Sequence, residues 1–143
     1  MAAKANKANK ASKPTLYQGP GWQMLLAPDW LCEFIDDCFT VYQPDGVGVM
    51  QISVFAKEGE VTSDDLRGLA DEQLEDIEIL NDCTTKGFFG FSTSFDEDDE
   101  FWQCWFLGCE DTALFITYNC EAADRNAEIS HVREMVKSLD IEQ

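Results

Sequence analysis

Residues Asp96 to Asp111 read DEDDEFWQCWFLGCED, five consecutive acids running into an aromatic strand that a second acidic pair closes. Carboxylates at this density suit three chemistries: a divalent-cation loop, a general acid–base pair, or an anionic rim for a cationic partner. A calcium loop of the EF-hand kind needs acids at alternate positions, glycine at the sixth and glutamate at the twelfth. Counted from Asp96, Asp98 and Glu100 comply, but the sixth residue is Phe101 and the twelfth is Leu107. An acid–base pair needs two carboxyl groups whose surroundings push their pKa values apart. Neighbouring acids in one wet turn share a single environment, and Asp36-Asp37, Asp64-Asp65 and Glu110-Asp111 meet the same objection. A nucleophilic pair of Cys120 with His131 lacks a third, orienting group. The glycines of Gly46-Val47-Gly48 precede a strand, not a phosphate-cradling helix. With no C-x-x-C and His131 as the lone histidine, a zinc site has no frame. The chain is therefore read as a non-enzyme with no metal and no cofactor. The candidate partner-binding residues are Asp96, Glu97, Asp98, Asp99, Glu100, Trp102, Glu110 and Asp111, because an aromatic anchor ringed by charge is the usual anatomy of a binding hot spot.

Charge supports that choice. The formal net charge is −18, with 28 acidic residues, and it is unevenly spread. Lys4, Lys7, Lys10 and Lys13 lie in an acid-free opening segment, and beyond it only Lys57, Arg67, Lys86, Arg125, Arg133 and Lys137 oppose the acids. Such a field repels nucleic acid and anionic membranes and steers basic proteins. The expected partner is a basic protein, and in the sharper form a toxin that this chain neutralises as an immunity protein. The alternatives are an accessory subunit that self-associates through its aromatic face and a weak divalent-metal binder. No apolar run approaches the ~18 residues of a membrane span. The opening MAAKANKANKASKP lacks the apolar core of a secretory signal, so a cytoplasmic protein is expected, monomeric or weakly dimeric. The six cysteines have irregular spacing and read as reduced thiols, small buried hydrophobes.

The elements that must position these residues follow from periodicity. Residues 1–14, a three-residue repeat of basic, small and polar types, read as a flexible basic tail, and 15–143 as one domain. WQMLLAPDW is a strand and a turn. CFTVYQ and VGVMQISVFA flank the turn PDGVG and form a hairpin over 38–56. Thr62 and Asp65 make a capping-box-like start, with Ser63 as an alternative N-cap, for an amphipathic helix of about four turns. GFFGFSTSF, FWQCWFL and ALFITYNC follow with short connections, which makes an antiparallel meander. FWQCWFL is apolar on both faces and marks a central strand. Ile129, Val132, Val136 and Leu139 stripe a final helix. The fold class is α+β: an antiparallel sheet of about six strands, an N-terminal hairpin plus a C-terminal meander, with two helices packed on it.

This layout resembles the fold group of the photosynthetic PsbP subunit, the yeast Mog-type Ran-binding factor and the bacterial DcrB-like proteins. It also resembles small uncharacterised bacterial proteins, some encoded near toxin or secretion systems. The segments that carry the likeness are WQMLLAPDW, YQPDGVGVMQIS, LFITYNCE and VREMVKSL, within residues 22–140. The resemblance implies a binding or accessory role and no catalytic motif. Fold-level analogy does not by itself transfer a partner.

Overall fold

The computed structural model describes residues 13–77 and 79–142. Most of the expected basic tail, residues 1–12, lies outside the described residues. Among the described residues, nine strands and two α-helices follow in the order β1 (Thr15–Gly19), β2 (Trp22–Leu26), β3 (Leu31–Ile35), β4 (Cys38–Tyr42), β5 (Gly48–Ala56), α1 (Ser63–Gln73), β6 (Asn81–Thr84), β7 (Phe89–Glu97), β8 (Glu100–Cys109), β9 (Thr112–Glu121) and α2 (Arg125–Lys137). Seven strands form one antiparallel sheet in the order β3-β4-β5-β9-β8-β7-β6, and β1-β2 form a separate hairpin. The α+β class, the hairpin over 38–56, the meander of β7–β9 and the two helices stand as expected from the sequence.

The fold has three layers because the interior strand β8 is apolar on both sides. In β8, Trp102, Cys104 and Phe106 share the front face, while Phe101, Gln103, Trp105 and Leu107 share the back. On the back, Trp105, Leu107, Ile116 and Ile52 pack with Trp22 and Met24 of β2 and with Val132, Met135 and Val136 of α2. On the front, Phe91, Phe106 and Ala113 lie beneath Leu66 and Ala70 of α1. Each fully buried side chain of this size stabilises the fold by about 1.5–3 kcal/mol. The β1-β2 hairpin is held on the back by the C-terminal segment: the Gln23 amide donates to the Asp140 carbonyl at 2.8 Å and the Leu25 amide to Ser138 Oγ at 2.9 Å.

Three strands exceed the six expected. β1 and β3 flank the turns around Gly21 and Asp29, both at positive φ, and their partly polar runs hide the alternation. β6, NDCT, is polar except for Cys83 and is recruited by pairing with β7. The capping box of α1 forms: Thr62 Oγ1 accepts from the Asp65 amide at 3.2 Å, and Asp65 Oδ2 accepts from the Thr62 amide at 2.8 Å. The helix is shorter than its periodicity suggests. It stops at Gln73, and Leu74 and Ile77 reach the front core from irregular chain.

One buried carboxylate ties α2 to the sheet. Glu128 is buried and accepts from the amides of Val47 and Gly48 at 3.2 and 3.1 Å and from the Tyr118 hydroxyl at 2.9 Å. It pins the β4–β5 turn against the start of the helix. Desolvation, reinforced by Glu128, raises the Tyr118 hydroxyl far above its ordinary pKa. Removing the carboxylate strands three donors. Glu128→Ala is expected to lower the unfolding free energy by about 3 kcal/mol and Tyr118→Phe by about 1 kcal/mol, read from urea denaturation midpoints at unchanged slope.

Candidate functional site

The end of the sheet where β7 turns into β8 collects most of the candidate residues. Asp98 and Asp99 are the two central residues of the connecting turn, at φ 51° and 65°. This is the geometry of a two-residue hairpin turn, and aspartate tolerates it where most side chains do not. The turn is also anchored from outside, because the Asp99 carbonyl accepts from the Ala122 amide at 2.8 Å.

Register then sorts the neighbours. Glu97 pairs with Glu100, and Glu100 pairs with Glu121 of β9. Alternation places all three side chains on the front face, a row of carboxylates across three adjacent strands. One step further in, Phe95 pairs with Trp102 and Trp102 with Asn119, on the same face. Phe95 and Trp102 stack with planes 8° apart and centroids 6.4 Å apart. Both rings are half-buried. Like charges directly opposite on neighbouring strands destabilise a sheet. Asn119 Nδ2 donates to Glu100 Oε2 at 3.3 Å and relieves part of that repulsion.

Asp96 belongs elsewhere. It faces the back, where its carboxylate pairs with Arg125 at the start of α2, and the Arg125 guanidinium lies 5.3 Å from the Phe101 ring centre. Glu110 and Asp111 form the β8–β9 turn, at the opposite end of a ten-residue strand and so about 30 Å away. There Lys57 and Val61 donate their amides to the carbonyls of Asp111 and Glu110 at 2.9 and 2.6 Å. The structure thus unites Glu97, Asp98, Asp99, Glu100 and Trp102, turns the exposed Asp96 to the back face, and separates Glu110 and Asp111 from the rest. Two contributors escape a reading of the sequence: Phe95, whose strand was recognised, and Glu121, which joins only through the β8–β9 register.

The front face is open beside this row because α1 covers only the part nearer the β8–β9 turn. A depression of about 300 Å³ lies there, floored by Gln51, Ser53, Cys104 and Thr117, walled by Phe95, Trp102, Phe115 and Leu74, with Glu97 at its rim. A second, more polar groove of about 410 Å³ runs past Glu100 and Glu121 to Tyr42, Pro44 and Val49. The carboxylate row stands between them. Among the described residues, no three His, Cys, Asp or Glu side chains converge as metal ligands. Among the same residues, no helix is long and apolar enough to cross a membrane.

The arrangement suits capture of a cation. Aromatic faces attract guanidinium and ammonium groups, and carboxylates at the rim add direct pairing. The Cys104 thiol on the floor of the depression is a poor nucleophile. All six cysteines are free. Burial pushes the Cys104 thiol up to about 12, and burial beside Cys38 and Glu33 pushes the Cys32 thiol up to about 11 despite a hydrogen bond with Tyr17.

No family model matches this chain, and no curated protein matches it. Among solved structures, a crystal structure from Bacteroides thetaiotaomicron VPI-5482 superposes with a TM-score of 0.66 at 17% identity, over 93% of this chain and 49% of that one. This chain therefore spans about half the length of that neighbour, and the likeness is one of fold. The solution structure of cyanobacterial PsbP (CyanoP) from Synechocystis sp. PCC 6803 matches with a TM-score of 0.44 at 9% identity, over 92% and 94% of the two chains.

The raised thiols fix the sign of a pH effect. Their folded-state values lie above the ordinary value of 9.0, so the stability they contribute is complete below pH ~9 and is lost as pH rises toward about 12. Denaturation midpoints are expected to fall across that window. Iodoacetamide at pH 8 is expected to leave Cys104 unmodified in the folded protein and to label it in urea, as mass spectrometry would show.

Proposed function

We propose that this chain is a non-catalytic binding module that captures a basic protein in the cytoplasm through the β7–β8 end of its sheet. The observation that carries the reading is the row Glu97, Glu100 and Glu121, set beside the stacked pair Phe95 and Trp102. Opposed carboxylates cost stability and add nothing to packing, so their value lies in the potential they hold in one place. A hairpin turn bonded to the residue after β9 keeps Asp98 and Asp99 at the tip of that potential. Lysine and arginine stems fit the two depressions, and their charged ends reach the row between them. Neutralisation of a basic toxin, the immunity role, is the sharper form of the same capture. The free thiols agree with a reducing compartment.

Aspartate at positive φ dictates the choice of variant. Lysine at 98 or 99 would strain the turn, whereas asparagine tolerates that backbone and removes only the charge. With the partner purified, Asp98→Asn with Asp99→Asn is expected to slow association several-fold and leave dissociation nearly unchanged. Trp102→Ala is expected to speed dissociation at least tenfold, equivalent to about 1.4 kcal/mol or more. Stopped-flow and surface-binding kinetics separate the two. Association that is indifferent to both the asparagine pair and ~0.5 M salt would dismiss electrostatic capture.

A further inference from the structure

β3 is an edge strand of the seven-stranded sheet. Its five residues, LCEFI, carry three of the largest exposed apolar side chains: Leu31 is 45% exposed, Phe34 59% and Ile35 46%. An edge of this kind is a template for another strand unless charge, proline, a bulge or a covering element blunts it. β3 has neither proline nor a bulge. Its pairing with β4 runs without interruption from Ile35 opposite Cys38 to Leu31 opposite Tyr42. The turn that closes the hairpin has two central residues, Asp36 and Asp37, at φ 52° and 63°. In an antiparallel ladder closed this way, Leu31, Glu33 and Ile35 bond their backbone groups to β4, and the N–H and C=O groups of Cys32 and Phe34 point outward.

We infer that the β3 edge accepts an extended basic segment of another protein by antiparallel strand addition. Charge decides the occupant. Glu33 stands between Leu31 and Ile35 on the front face, and the hydroxyl of Tyr42 donates to its Oε1 at 2.6 Å. Asp29, Asp36 and Asp37 flank the strand. A second copy in the register that sets Leu31 against Ile35 would place Glu33 opposite Glu33 of that copy, on two chains of net charge −18 each. Like charges directly opposite on paired strands are destabilising. An incoming strand that bonds to Cys32 and Phe34 presents a side chain directly opposite Glu33, in the close, non-hydrogen-bonded position. The fitting segment carries lysine or arginine there, with an apolar residue two positions to either side to cover Leu31 and Ile35. This edge lies four strands from Trp102, about 19 Å across the sheet, and the inference stands apart from the capture surface described above.

The probe is a capped seven-residue peptide with arginine at its centre, valine two residues to either side and threonine elsewhere. Titrated into the full chain, it is expected to shift the amide resonances of Cys32 and Phe34 and to slow their hydrogen exchange. The same peptide with a central glutamate is expected to bind at least tenfold more weakly. Glu33→Lys is expected to invert that preference, a result that loss of folding cannot imitate. Shifts confined to other strands, equal binding of the two peptides, or protection of β3 that grows with protein concentration alone would overturn the inference, the last by naming a second copy as occupant.

Discussion

A strand with large apolar side chains on both faces forces a sheet to be covered on both sides, and β8 is such a strand. Trp105 and Leu107 demand one lid, and Cys104 and Phe106 demand another. The chain meets the first demand with α2 and the β1-β2 hairpin, and the second with α1 and the irregular chain that flanks it, through Val61, Leu74 and Ile77. At eleven residues, α1 is about 16 Å long, too short for the whole front face. The exposed half of that face, with its aromatic pair and its depression, follows from this mismatch between one helix and seven strands.

The uncovered half is also where acids gather, and the two facts belong together. Near the β8–β9 turn the acidic residues serve the fold. Asp65 caps α1, and its carboxyl is held below the usual range by Lys57 and by the Thr62 amide. Asp96 does similar work for α2 through Arg125. Glu97, Asp98 and Glu121 have no such duty, and Glu100 is only partly occupied by Asn119. A carboxylate free of structural work is one that a partner can use.

Much of this was legible in the chain. The double-sided pattern of FWQCWFL identified the central strand, and Thr62 with Asp65 announced the start of α1. The stripe of Ile129, Val132 and Val136 located the core of α2, whereas Leu139, buried like them, lies just past the end of the helix. What escaped depends on pairing rather than on local pattern. NDCT becomes a strand only because β7 offers it an edge. Glu121 joins the acidic row only through a register that no window of residues contains. Glu110 and Asp111 are close in sequence to Trp102, yet an extended strand carries them away from it, since each residue advances the chain by about 3.3 Å. Glu128 was hidden for a different reason. A glutamate in a helix suggests a solvated face, and its burial follows only from the turn amides that meet it.

The same negative charge that attracts cations keeps copies of the molecule apart. The bare β3 edge, with Leu31, Phe34 and Ile35 in the open, is tolerable in a crowded solution while every neighbour repels. Acid removes that protection: as pH falls through the carboxylate range, the net charge that holds copies apart shrinks. The colloidal behaviour of the protein is thus tied to one five-residue strand, and precipitation on acidification would begin from its outer rim while the core remained folded.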